Sequence, residues 1–350
     1  MRRNLTFSIA LAAFIVLGLT GSSTAEPGHN TANSISLQAD HPDSFRQFAP
    51  ELQETRDRAV TINTDVGLHL SEIAPGLFFV TDLVYQSAFM VTDAGVVVLD
   101  APPSFGTGLR ELIERSAPGV PITHLIMSHG HNDHNGGGQM LSDVAGLTVV
   151  AASGVAQTLQ QNPLDGVLVP TQTFDGALDL SVGSTAIKLQ ETRYHAEDTD
   201  VMIYLPKQKF LMAVDTITPG EVPFMNFGAT ANVDAYFRSF DTFLAYDFEY
   251  FLSGHVSVLG SRHDVKAARD YAFDVRDTVY GLMPTFANRV AEALEAVAYQ
   301  NGNLAYRYAI ESIRNACARQ IIPRWESRLS VVDIWADSHC ETTVVYAIMH

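Results

Sequence analysis

Residues 128–138 read SHGHNDHNGGG, three histidines and an aspartate within six positions, followed by a run of glycines. The preceding ITHLIM (122–127) is a short apolar run with β-branched residues, so the cluster begins where a buried strand ends and the chain turns toward a helix. Loops at strand C-termini are common sites in layered α/β folds, because a rigid sheet holds them. In extended backbone His129 and His131 point to the same side. Asp133 and His134 follow on a turning chain and can face a second position, while Gly136, Gly137 and Gly138 let backbone pack closely around whatever is bound.

The same placement recurs downstream. His195 follows a β-type run over 185–191, Asp215 ends FLMAVD and His255 ends YFLSGH. Each is the polar residue that terminates an apolar strand. Histidine and carboxylate ligands suit zinc and other divalent metals, and a site draws ligands from several segments. His124 lies inside a strand and reads as structural. His69, His263, His339 and His350 belong to no such pattern, and His29 and His41 read as solvated.

The scaffold around these positions is strand-rich. Short β-type runs, LHLSEIA, GLFFVTD, SAFMVTD and GVVVLDA, are punctuated by Pro75-Gly76 and Asp93-Ala94-Gly95 as hairpins would be. Helices are expected over 44–58, 108–116 and 137–144, and strands over 122–127, 147–151, 178–180, 185–191, 200–205 and 209–213. Beyond residue 262 the strand signals fade; 263–281, 285–300 and 303–320 read as helices, and 329–348 is ambiguous.

Composition narrows the function classes. With 350 residues, 47% of them hydrophobic, the chain can bury a sizeable core. A net charge of −17 without clustered Lys or Arg excludes nucleic acid and anionic membrane surfaces as expected partners. Arg2 and Arg3 precede an apolar stretch over 9–19, and Ser23-Thr24-Ala25 supplies small residues, so 1–25 reads as a secretory signal cleaved after Ala25; an uncleaved anchor is the competing reading. The expected location is periplasmic or secreted, with no stable membrane partner after cleavage. In an exported chain the two cysteines, Cys317 and Cys340, point to a disulfide, the alternative being two unrelated buried thiols.

The order HxHxDH, then His, Asp and His at widening intervals, resembles the metallo-β-lactamase superfamily over roughly 68–262. The resemblance implies a four-layer αββα sandwich with a C-terminal helical extension and two divalent metal ions, zinc foremost, at one edge of the sheets. Carried over, His129, His131 and His195 would hold one ion and Asp133, His134 and His255 the other. Asp215 would bridge them, and Asp100 would be structural. The expected organisation is a signal peptide (1–25), a leader (26–64), the catalytic domain (65–262) and the helical extension (263–350). Completing the outer layer, capping the pocket and forming a homodimer surface are all open to the extension.

Two cations a few Å apart make hydrolysis the expected chemistry, with Asp133 placed to orient the attacking water and shuttle its proton. In the resemblance, β-lactamases carry Cys or Ser at the bridging position, whereas thioesterases of the glyoxalase II type, lactonases and phosphotriesterases carry Asp. Asp215 therefore favours small carbonyl esters, lactones first, with β-lactamase, thioesterase and phosphotriesterase activity as alternatives and a non-enzymatic metal-binding module as the remaining class. Phe224, Met225 and Phe227, in a Pro- and Gly-punctuated loop, are candidates for an apolar pocket wall, and Tyr85 for the mouth.

Overall fold

The structure, a computed structural model, describes residues 35–37, 46–196, 199–296 and 299–350. The expected signal segment therefore lies outside the described residues. A short strand pair, β1 (Ile35–Leu37) and β2 (Arg46–Phe48), precedes helix α1 (Gln53–Arg58). The helix expected over 44–58 is thus shorter and starts later. Pro50 disfavours helical geometry at the residue before it, which leaves a strand on one side and the helix on the other.

The first sheet has seven strands in chain order: β3 (His69–Ala74), β4 (Leu77–Thr81), β5 (Gln86–Thr92), β6 (Gly95–Leu99), β7 (Ile122–Ile126), β8 (Thr148–Ala152) and β9 (Gln172–Phe174). Strands β3 to β6 form an antiparallel meander, and β6 to β9 run parallel. The Pro75-Gly76 turn depends on glycine. Gly76 has φ +75° and a Cβ there would stand 2.8 Å from the Val91 carbonyl oxygen. Strand β6 is buried at all five positions, which explains its unbroken apolar run.

The second sheet has six strands: β10 (Ala177–Val182), β11 (Thr185–Thr192), β12 (Asp200–Leu205), β13 (Phe210–Met212), β14 (Tyr250–Leu252) and β15 (Gly260–Ser261). It is antiparallel except where β13 meets β14. Each sheet thus contains a strand end followed by a parallel neighbour, and those ends carry the chemistry.

Helices α2 (Gly108–Ser116), α3 (Asn132–Asn135) and α4 (Ser153–Gln161) serve the first sheet, whose core also takes Ile203, Met212, Val214 and Leu252 from the second. The outer face of the second sheet is covered by α6 (Val233–Leu244), α7 (Arg262–Leu282), α9 (Gly302–Trp325) and α10 (Val332–Met349), while α8 (Phe286–Ala296) packs on α9. The αββα order is therefore complete only with the extension. Tyr236, Phe240, Val265, Tyr271 and Ala336 share one buried cluster. Residues 329–348, ambiguous in sequence, are mostly α10, and Cys317–Cys340 is a disulfide (S–S 2.03 Å) tying α10 to α9.

Two local expectations change. The helix expected over 137–144 is a 3-10 turn at Gly138–Leu141, since consecutive glycines gain too little to propagate a helix. Between β13 and α6 the short turn α5 (Met225–Ala229) is left-handed: Asn226 has φ/ψ of 54°/39°, Phe227 56°/53° and Gly228 74°/32°. Among the described residues no helix is long and apolar enough to cross a membrane.

Candidate metal centre

Asp100 follows β6 with φ 62°, which turns its buried carboxylate back over the end of β7. Its Oδ1 accepts from Ser128 N (2.7 Å) and Asn135 Nδ2 (3.0 Å), and Asn135 Nδ2 also donates to the His129 carbonyl (3.0 Å). The loop carrying His129, His131, Asp133 and His134 is thereby fixed at both ends. Burial raises the Asp100 carboxyl to about 6 against the opposing pull of His134 and Ser128. It stands behind the cluster as a structural group.

His131 caps α3, and the helix turn brings Asp133 and His134 round behind it. Gly137 is held against the first sheet, where a Cβ would meet the carbonyl oxygens of Pro102 and Ala101 at 2.6 and 2.7 Å. The glycines following the motif therefore serve close packing, as their sequence position implies.

From the second sheet, Asp200 at the start of β12 accepts backbone N–H groups of Tyr194, His195 and Ala196, each at 3.0 Å, and so shapes the loop bearing His195. The His195 Nδ1–H donates to the Gly228 carbonyl (2.7 Å), a pure acceptor, which leaves the Nε2 lone pair facing the cluster. Asp215 follows β13 with φ 62°, and its N–H donates to Ser253 O (3.0 Å). Buried Gln86 holds the His255 loop by donating to Val256 O and Val258 O (3.0 and 2.9 Å).

These loops bring all seven histidine and aspartate positions together. Asp215 Oδ2 lies 3.1 Å from His195 Nε2, 3.3 Å from His134 Nε2 and 3.5 Å from His129 Nε2, while Oδ1 lies 2.9 Å from His255 Nε2. His131 Nδ1 is 3.1 Å from His195 Nε2, His134 Nε2 is 3.2 Å from His255 Nε2, and Asp133 Oδ2 is 3.5 Å from His134 Nε2. The two carboxylate oxygens of Asp215 thus face different histidines.

Metal ligation fits this donor set. Zinc–nitrogen bonds of about 2.0–2.1 Å at tetrahedral angles put neighbouring ligand atoms roughly 3.3 Å apart, close to the separations above. His129 Nε2 is buried without a hydrogen-bond partner and points into the cluster. Burial and the neighbouring imidazoles keep His129 neutral, its pKa well below the ordinary value. Burial also disfavours charge on His134, but Asp215 outweighs it and raises the imidazole to about 9. Three overlapping groups can hold an ion: His129, His131, His195 and Asp215; His129, Asp133 and His134; and His134, Asp215 and His255.

His129 and His134 are fully buried, whereas the side chains of Asp133 and His255 are 41% and 35% exposed. The centre therefore opens to solvent on the Asp133–His255 side. Tyr85 stands at that opening: its backbone pairs with His255, and its ring lies 5.0 Å from the His255 ring and 5.8 Å from that of His134. Leu83, Val84, Phe224 and Met225 are exposed. Phe227 is not part of any wall, contrary to the sequence expectation: it is fully buried, packed on Tyr236, Phe237 and His339, because the left-handed turn swings its side chain inward. His124 bonds its neighbour Thr123, outside the cluster. Asp200, Gln86 and Gly228 carry no motif, and sequence alone gave no signal for them.

A strand-end His/Asp cluster in an αββα sandwich defines a metal-dependent hydrolase. The family model of the metallo-beta-lactamase superfamily matches residues 81–255, half of the chain, and the protein belongs to that superfamily. It is 24% identical over 186 residues to the alpha subunit of 2,4-dinitroanisole O-demethylase from Nocardioides sp. (strain JS1661). That match covers 52% of this chain and 56% of the relative, so it spans little more than half of the relative's length. Among solved structures, a metallo-beta-lactamase from Pontibacter korlensis superposes with TM-score 0.50 at 19% identity, covering 58% of this chain and 97% of that one. The stereoselective inverting sec-alkylsulfatase Pisa1 from Pseudomonas sp. gives 0.54 at 18% identity, covering 74% and 50%. Both likenesses are of fold.

Proposed function

We propose that the protein is an exported two-zinc hydrolase of small, neutral carbonyl esters, with lactones the leading substrates. The observation carrying this reading is the chemistry of the segments around the centre. Residues 82–86, 129–138, 162–171, 215–231 and 255–258 contain no Lys or Arg, and the segment bearing His195 adds only Arg193. With four exposed apolar side chains and a net charge of −17, these segments suit an uncharged ligand better than a sulfate or phosphate monoester. A lactone offers a neutral carbonyl held by its ring in a reactive geometry.

His129, His131 and His195 would hold one ion, Asp133, His134 and His255 the other, and Asp215 both. Bound there, the ions would supply an activated water and an electrophilic contact for the carbonyl oxygen. Asp133, half-exposed beside His134 and His255, takes the proton from the attacking water and returns it to the leaving oxygen. The Tyr85 phenol, raised by burial and by the charges of Asp133, Asp82 and Asp215, stays protonated and can donate a hydrogen bond to substrate oxygen. The apolar stretch over 9–19 and the disulfide support an oxidising, extracytoplasmic compartment.

A neutral aryl ether is the second reading, favoured by the substrate in the name of the Nocardioides relative. The deciding experiment ranks kcat/KM for the zinc-loaded protein on lactones, aryl esters, thioesters, β-lactams, phosphotriesters, alkyl sulfates and dinitroanisole. Lactones should lead. A β-lactam or an alkyl sulfate in first place overturns the proposal.

A further inference from the structure

We infer that His339, on α10 of the C-terminal extension, is a positioning residue for the metal-site histidine His195. His195 is aimed by one hydrogen bond, from its Nδ1–H to the carbonyl of Gly228. That carbonyl is placed by a left-handed turn, Asn226 to Ala229, in which three of four residues carry a side chain. Left-handed helical geometry is strained for residues that carry a side chain, so the turn persists only if its surroundings enforce it.

The inner side of the turn is enforced by Asp215, whose carbonyl oxygen would collide with any Cβ on Gly228, and by the Gly228 N–H bond to Phe224 O (2.9 Å). The outer side is enforced by α10. Ser338 Oγ accepts from Asn226 N (3.1 Å), Thr342 Oγ1 donates to Asn226 Oδ1 (3.0 Å), and His339 Nε2 lies 3.1 Å from Phe224 O. The His339 ring also stacks on Phe227, with centroids 4.5 Å apart and planes at 15°. Because a carbonyl can only accept, the His339 proton sits on Nε2, and Nδ1 accepts from the Tyr271 hydroxyl (2.7 Å). Every polar atom of the His339 ring is therefore committed, and Cys340 beside it is tied to α9. A chain of contacts runs from the extension through the turn to the imidazole that faces the cluster.

The test is cobalt(II) titration of the metal-free protein, followed by absorption spectroscopy, in wild type, His339→Phe, His339→Gln and Tyr236→Phe. Uptake by the wild type tests the metal reading itself; the variants test His339. His339→Phe keeps an aromatic ring against Phe227 but removes both hydrogen bonds. It should bind the first ion about 10- to 100-fold more weakly, as expected when a group that orients a ligand is lost, and with an altered ligand-field spectrum. His339→Gln, which can still donate to Phe224 O, should recover most of both. Tyr236→Phe, a change at a buried hydroxyl with no partner beside the same Phe227 ring, should match wild type. Thr342→Val, at the edge of the turn, should weaken binding several-fold, and it keeps the test available if His339→Phe does not fold. Wild-type affinity and spectrum in His339→Phe or, should that variant not fold, in Thr342→Val would overturn the inference. So would equal losses in His339→Phe and Tyr236→Phe.

Discussion

Asp100 and Asp215 occupy similar places in the two sheets, each beyond the end of a buried strand that has a parallel neighbour, Asp100 immediately and Asp215 three residues on, and each with φ 62°. The first carboxylate turns onto backbone and holds a loop; the second turns onto four histidines. One backbone device thus supplies a structural anchor in one sheet and the central acid of the site in the other.

Removing that central acid should separate bridging from proximity. Burial alone would raise the Asp215 carboxyl, yet the charge of His134 and the surrounding imidazoles hold it well below the usual carboxylate range. Asp215→Ala should stay folded, keep close to one metal per chain and lose at least ~100-fold in hydrolysis, with His124→Ala as an unaffected control. Two metals and near-normal turnover in Asp215→Ala, read by elemental analysis and kinetics, would show that the residue does not bridge.

The two phenylalanines of the 224–227 segment should part company. Phe227→Ala empties a fully buried site and should cost about 3–5 kcal/mol of stability in urea titration. Phe224→Ala, at a side chain half exposed against Trp335, should leave stability within about 1 kcal/mol and raise KM for apolar esters. An unchanged KM would remove Phe224 from the substrate surface.

Acid should destabilise the protein through His339, which burial lowers from 6.5 to about 4 despite hydrogen bonds to backbone. The folded state binds this proton less tightly than the unfolded one, so the contribution is complete above pH 6.5 and is lost as pH falls toward 4. The loss amounts to about 3 kcal/mol. Urea midpoints for wild type and His339→Gln should converge between pH 7 and 4.5; parallel curves would contradict the assignment.

Reduction of Cys317–Cys340 reopens a loop with a sequence separation of 23. Loop-closure entropy values that bond at roughly 3 kcal/mol. The reduced protein should melt earlier in calorimetry, and an unchanged melting temperature would mean that helix packing alone holds α10.

The His/Asp cluster was legible in the sequence because the HxHxDH stretch, Asp215 and His255 each follow an apolar run, a local pattern that buried strands enforce. The hairpins were legible for a similar reason, since Pro75-Gly76 and Asp93-Ala94-Gly95 carry their own turn chemistry. Asp200 and Gln86 were not, because a carboxylate or amide that satisfies backbone groups leaves no spacing signature. Phe227 misled because the direction of its side chain depends on a left-handed turn held by a helix more than a hundred positions away, a contact no local pattern encodes.

His134 and His255 face each other across 121 positions of chain and come from different sheets. A chain synthesised from its N-terminus displays the SHGHNDH segment long before the second sheet exists, so ions met early find only an open, incomplete chelate. Any selection among metals then falls to the finished sandwich, because only with both sheets in place is the donor set complete.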